Sequence, residues 1–197
     1  MDFISQNTYH IYNRGNNRQT IFFTESNYVY FLQKVRKYVS PHCDLLAYVL
    51  MPNHFHFLIH ANEHTEKQLP DLRITRNVLS EGIRLLLSSY TKGINKQEQR
   101  TGNLIQQKTK SKCISDSKEI NYSDYGATCF YYIHQNPLRA GLVNKIEDWH
   151  YSSYRDYAGL RNGTLCNQEL AKAILNIPGN RPITNRIINE ESIKNIW

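Results

Sequence analysis

The sequence predicts an α+β fold: a ferredoxin-like antiparallel sheet with helices packed on it. Three observations point there. Runs at 8–14, 43–51 and 54–61 are apolar or alternating, with the length of strands. Stretches at 26–40 and from Leu69 to about Gln99 repeat apolar side chains at helical spacing. Their order is β-α-β-β-α-β with a further helix after it, which suits a sheet carrying helices on one face.

TYHIYNR, 8–14, alternates as a first strand, and Gly15 with the polar run NNRQT makes a turn. SNYVYFLQKVRKYVS, 26–40, places Tyr28, Phe31, Leu32, Val35 and Val39 on one helical face, with Thr24 or Ser26 as cap and Pro41 as stop. CDLLAYVLM, 43–51, is almost continuously apolar, which predicts a strand central in the sheet. Pro52 and Asn53 form a tight turn into HFHFLIHA, 54–61, so these two strands make an antiparallel hairpin.

The second helix carries Leu72, Val78, Leu79, Ile83, Leu86, Leu87 and Tyr90 as buried candidates, weakened by Gly82 and Gly93. NLIQQKTKSKCISD, 103–116, reads as a fourth strand or ribbon with Lys108, Lys110 and Lys112 alternating onto one face, either solvated or a phosphate track. SDYGATCFYYIHQN, 123–136, is a third helix, capped by Ser123 and ended by Pro137. Residues 138–160 close the domain, and 161–197 form a polar extension with one short helix. The expected organisation is one domain over 1–160 followed by that extension.

The 197 residues suffice for one sizeable core. No run approaches the ~20 apolar residues of a membrane span, and the N-terminus lacks a basic-then-apolar secretory pattern, so the expected location is cytoplasmic. Cys43, Cys113, Cys129 and Cys166 have neither zinc-ribbon nor disulfide-framework spacing and read as small buried hydrophobes. The formal net charge is +7, which favours a polyanionic partner through counterion release. Many of the 14 tyrosines sit beside basic residues, where aromatic faces can stack on unpaired bases.

Within MPNHFHFLIH, 51–60, strand alternation puts His54, His56, Leu58 and His60 on one face and Phe55, Phe57 and Ile59 on the other. His54 and His56 then have Cα atoms about 6.5 to 7 Å apart, near enough for both rings to reach one cation. Two imidazoles leave an ion with open positions. On the third helix, Tyr132 and Asn136 lie four apart on one face and can supply a carboxamide ligand and a hydroxyl. Tyr131 and Gln135 have the same spacing, so spacing alone does not choose between the pairs.

The runs YHIYNRGNNRQTIF, LMPNHFHFLI and YYIHQNPLRAGLV, the last followed by DWHYSSY, resemble the single-tyrosine HUH transposases, most of all the REP-associated tyrosine transposases and IS200-like relatives, over about residues 8–160. The resemblance implies the HUH nuclease fold and a metal-dependent transposase that cleaves and rejoins single-stranded, hairpin-containing DNA through a covalent 5′-phosphotyrosine. It implies Tyr132 as nucleophile, with Tyr131 as runner-up, and His54, His56 and Asn136 as ligands of Mg or Mn. Arg14, Lys108, Lys110, Lys112 and Arg139 are the cations expected near the DNA, with Tyr12 or Tyr154 stacking on bases. A monomer is favoured slightly over a homodimer. Two rivals stand beside this reading: a non-catalytic nucleic-acid-binding or repressor protein derived from such a transposase, and a HUH replication initiator or relaxase.

Overall fold

A computed structural model describes residues 2–67, 77–115 and 122–177. Its sheet joins β1 (Thr8–Arg14), β2 (Asp44–Met51), β3 (His54–His60) and β4 (Lys110–Cys113) in the order β2-β3-β1-β4, with each neighbouring pair antiparallel. That order is the ferredoxin-like one, as predicted. The strands are joined or followed by α1 (Glu25–Tyr38), α2 (Val78–Gln97), α3 (Tyr122–Arg139), α4 (Tyr154–Tyr157) and α5 (Gln168–Leu175).

Helices cover both faces of the sheet, not one. α1 and α2 bury Phe31, Val35, Ile83, Leu86 and Tyr90 against Ile11, Phe55, Phe57 and Ile59. On the opposite face, α3 and α5 bury Phe130, Ile133, Ala171 and Leu175 against Leu46, Ala47, Val49 and Leu58. Strand alternation therefore sends Phe55 and Phe57 to the first layer and His56 and Leu58 to the second.

β2 was expected at the centre and lies at an edge. Its apolar character has two causes: both faces are covered, and residues 151–153 screen its outer rim. Leu50 N–H donates to the Tyr151 carbonyl at 2.9 Å, and Ser153 N–H to the Tyr48 carbonyl at 3.0 Å. Such shielding satisfies backbone groups that an open edge would leave unpaired.

α1 starts at a box in which the Asn27 side chain accepts the Thr24 N–H at 3.1 Å. α2 begins at Asn77, whose side chain accepts the Ser80 N–H at 2.9 Å. Its predicted start near Leu69, with Leu72, lies outside the described residues. Gly82 has a packing role: a Cβ there would sit 2.0 Å from the Tyr38 carbonyl oxygen. The glycine lets α2 pass close to the end of α1.

α3 continues through Pro137 to Arg139 instead of ending before the proline. The missing N–H of Pro137 falls in the last turn, where the helix closes on Gly141 at φ +67°. Leu142 N–H reaches the Pro137 carbonyl and Gly141 N–H the Leu138 carbonyl, both at 3.0 Å, a Schellman ending. The Ser123 cap lies outside the described side chains.

The fourth strand, expected over 103–116, is confined to Lys110–Cys113. Residues 161–177 were assigned to the polar extension, yet they fold back on the same body. Arg161 grips the buried Asp156 carboxylate with Nε–Oδ1 at 2.6 Å, and Ala171 and Leu175 are fully buried beside α3. Residues 178–197 lie outside the described residues.

Candidate active site

Residues facing each other across an antiparallel ladder share a sheet face. The β1–β3 register pairs Arg14 with His54 and Tyr12 with His56, and the β1–β4 register pairs Tyr12 with Lys110 and His10 with Lys112. One polar end of the α3-covered face therefore holds Arg14, Tyr12, His10, Lys110 and Lys112 beside the paired histidines.

The four residues of the predicted centre meet there. The His54 and His56 rings have centroids 5.1 Å apart at an interplanar angle of 88°. The Tyr132 ring stands edge-on to His56 at 5.7 Å. The Asn136 side chain is in hydrogen-bonding reach of the His54 imidazole. α3 makes this possible because positions 132 and 136 lie one turn apart on the side facing β3. Tyr131 packs edge-on to Phe130 with centroids 5.7 Å apart. Tyr132 is thus in ring contact with one of the paired histidines, and Tyr131 with its neighbour Phe130.

The surroundings keep these imidazoles neutral. Burial lowers the His54 pKa to about 4; the Asn136 contact opposes that shift and the nearby Arg14 charge adds to it. Burial also pushes His56 well below the ordinary histidine range, helped by repulsion from His10 and His54. Neutral imidazole is the form that ligates metals.

Two residues absent from the sequence-based site sit directly behind the rings. His10 Nε2 lies 2.9 Å from His56 Nδ1, with the two rings nearly parallel. Asn53 Oδ1 lies 2.6 Å from His54 Nδ1. The sequence signal for both is positional: His10 alternates onto the histidine face of β1, and Asn53 immediately precedes His54.

The donor set fits a divalent cation of the Mg or Mn kind in type: two neutral imidazoles and a carboxamide oxygen. Among the described residues, no cluster of three or more His, Cys, Asp or Glu side chains is arranged to hold a metal ion, so a cation here depends on the amide. His60, four residues beyond His56, is taken up by Thr8, with Oγ1 to Nδ1 at 3.1 Å.

The predicted DNA contacts divide. A pocket of about 210 Å³ opens beside His54, lined by Tyr12, Arg14, Gln106 and Lys110. Lys112 lies near it with its ammonium 5.2 Å above the Tyr125 ring. Arg139 is exposed at the C-terminal end of α3. Lys108 does not join this face. It precedes β4 in a bend and lines a separate groove with α2 residues such as Arg84 and Lys92. Tyr154 is 7% exposed and packed among apolar neighbours, which removes it as a stacking platform.

The sheet order and the helix laid across its histidine face define the class: a protein of the HUH tyrosine transposase fold. No family model matches the chain. A Haemophilus influenzae protein provisionally named as a REP-associated tyrosine transposase is 24% identical over 112 residues, which is 56% of this chain and 58% of that relative. The chain thus spans little more than half the length of the curated relative it matches. A solved structure of the REP-associated tyrosine transposase bound to a REP hairpin superposes with a TM-score of 0.55 at 17% identity, covering 96% of this chain and 94% of that one. The chain is thus similar to a REP-associated tyrosine transposase in sequence over part of its length, and to another in fold over nearly all of it. Among the described residues, no helix is long and apolar enough to cross a membrane.

Proposed function

We propose that the protein cleaves and rejoins single-stranded DNA through a covalent bond to Tyr132. The observation that carries this reading is the meeting of Tyr132, His56, His54 and Asn136 in one enclosed corner beside a cationic pocket.

His54, His56 and Asn136 would hold the divalent ion, Mg or Mn. When bound, such an ion supplies charge neutralisation and orientation to a phosphodiester. Arg14 and Lys110 bind the flanking phosphates and keep the strand in the pocket. The Tyr132 oxygen attacks phosphorus: the tyrosine O–P bond forms, the P–O3′ bond breaks, and the 5′ side of the DNA remains on the enzyme. The phenol gives up a proton and the departing 3′ oxygen takes one up; one phosphodiester replaces another, so the step needs no external energy source. Attack by a later 3′-OH reverses it and joins new ends. A phenol, with an ordinary pKa near 10, leaves phosphorus more readily than an aliphatic alcohol does.

The partner is single-stranded DNA, with hairpin-containing strands as the first choice because the structural relative is bound to one. The test is incubation with labelled hairpin-bearing oligonucleotides in Mn or Mg, followed by denaturing electrophoresis. Wild type forms a denaturation-resistant adduct; Tyr132→Phe forms none and still binds DNA. An adduct lost in Tyr131→Phe but retained in Tyr132→Phe overturns the assignment.

A further inference from the structure

We propose that Asn53 and His10 are positioning residues that hold His54 and His56 in the Nδ1–H tautomer, so that both rings present the Nε2 lone pair toward Asn136 and Tyr132. The proposal rests on the reading of His54 and His56 as cation ligands.

For His54 the Asn53 bond selects the Nδ1–H form, in which the neutral ring turns its Nε2 lone pair toward the Asn136 side chain. The Asn53 amide is oriented by its own Nδ2, which donates to the Arg18 carbonyl at 3.2 Å. Its Oδ1 therefore faces His54 Nδ1 at 2.6 Å. An amide oxygen only accepts, so His54 Nδ1 carries the hydrogen and Nε2 carries the lone pair. The turn that joins β2 to β3 thus also sets the chemistry of the first residue of β3.

For His56 the partner is another imidazole. His10 Nε2 and His56 Nδ1 are 2.9 Å apart, both residues are almost wholly buried, and one proton lies between the two nitrogens. If that proton sat on His10, His56 would carry its other hydrogen on Nε2 and could not ligate. The Nδ1–H form of His56, with His10 Nε2 accepting, is the one in which His56 can serve as a ligand. The β1–β3 pairing delivers His10 to this spot: it sits opposite Leu58, diagonal to His56 on the same face. Partners of this kind, which fix the ring and raise the basicity of the free nitrogen, are general among metal-ligating histidines.

The test reads the proton directly. Metal-free protein labelled with 15N at histidine is examined by long-range 1H–15N correlation at neutral pH. Both His54 and His56 should show a protonated Nδ1 and an unprotonated Nε2. His10→Phe keeps the ring volume and removes the acceptor, and should move His56 toward the Nε2–H form. His10→Gln restores a carbonyl oxygen and should restore the Nδ1–H form. Asn53→Ala should release His54, and Asn53→Asp should keep it. Mn titration followed by electron paramagnetic resonance gives a second readout. His10→Phe and Asn53→Ala should each bind about 10- to 100-fold more weakly than wild type, with the Gln and Asp variants close to it. A wild-type His56 in the Nε2–H form, or unchanged tautomers in His10→Phe and Asn53→Ala, overturns the positioning role. Wild-type protein that binds no Mn while both tautomers are as stated overturns the ligand reading instead.

Discussion

The edge of the Tyr132 ring faces the His56 imidazole, with centroids 5.7 Å apart and planes at 89°, at the one end of the sheet where His54 and Asn136 also converge. A strand residue and a helix residue separated by 76 positions are brought together by α3 lying across β3.

In the proposed reaction the Tyr132 hydroxyl carries the chemistry, while its ring packs against His56. Tyr132→Phe keeps the ring, so its melting temperature should stay within a few degrees of wild type while covalent adduct formation disappears. Calorimetry run beside the adduct assay checks this. Loss of folding in that variant would mean that the hydroxyl is structural.

Arg14 and Lys110 line the pocket beside His54, and Lys108 does not. Arg14→Ala should weaken single-stranded DNA binding and lower the salt dependence of log K by about one phosphate's worth. Lys108→Ala should leave adduct formation intact. Anisotropy titrations at several salt concentrations distinguish the two. An unchanged salt slope in Arg14→Ala would remove Arg14 from the DNA path.

Stability should fall in mild acid. His54 and His134 are held neutral by burial, with pKa values lowered from 6.5 to about 4 and about 3. The unfolded chain binds these protons first. Their contribution is therefore complete above about pH 6.5 and is lost as pH falls toward 4 and then 3. Each costs at most about 1.4 kcal/mol per pH unit in that window. Urea midpoints measured between pH 7.5 and 5 should drop steadily; a flat profile would contradict the neutral buried state.

Gly82 marks the closest approach of α2 to the end of α1. Gly82→Ala places a Cβ against the Tyr38 carbonyl and should destabilise by about 1 to 3 kcal/mol despite the better helix propensity of alanine. A variant as stable as wild type by urea denaturation would show that the helices part without cost.

The elements were legible where one physical signal dominated. Alternation in HFHFLIH separated His56 from Phe57 before any contact was known, and helical spacing placed Phe31 and Tyr90 in the core. The position of β2 was not legible, because an apolar strand looks the same whether another strand or residues 151–153 screen its rim. Helical spacing could not choose Tyr132 over Tyr131, and only the resemblance to the family motif named one of them. Lys108 was misplaced because alternation was carried past the start of β4, into a bend where it has no meaning. His10 and Asn53 went unassigned because alternation and adjacency place them near the two rings without saying which hydrogen bonds they make.

The most direct measurement is the site of attachment. The trapped protein–DNA adduct is digested and the nucleotide-bearing peptide sequenced by mass spectrometry. The account predicts a phosphodiester on the Tyr132 oxygen and none on Tyr131. A nucleotide found on Tyr131, or on any residue remote from His54 and His56, would contradict it.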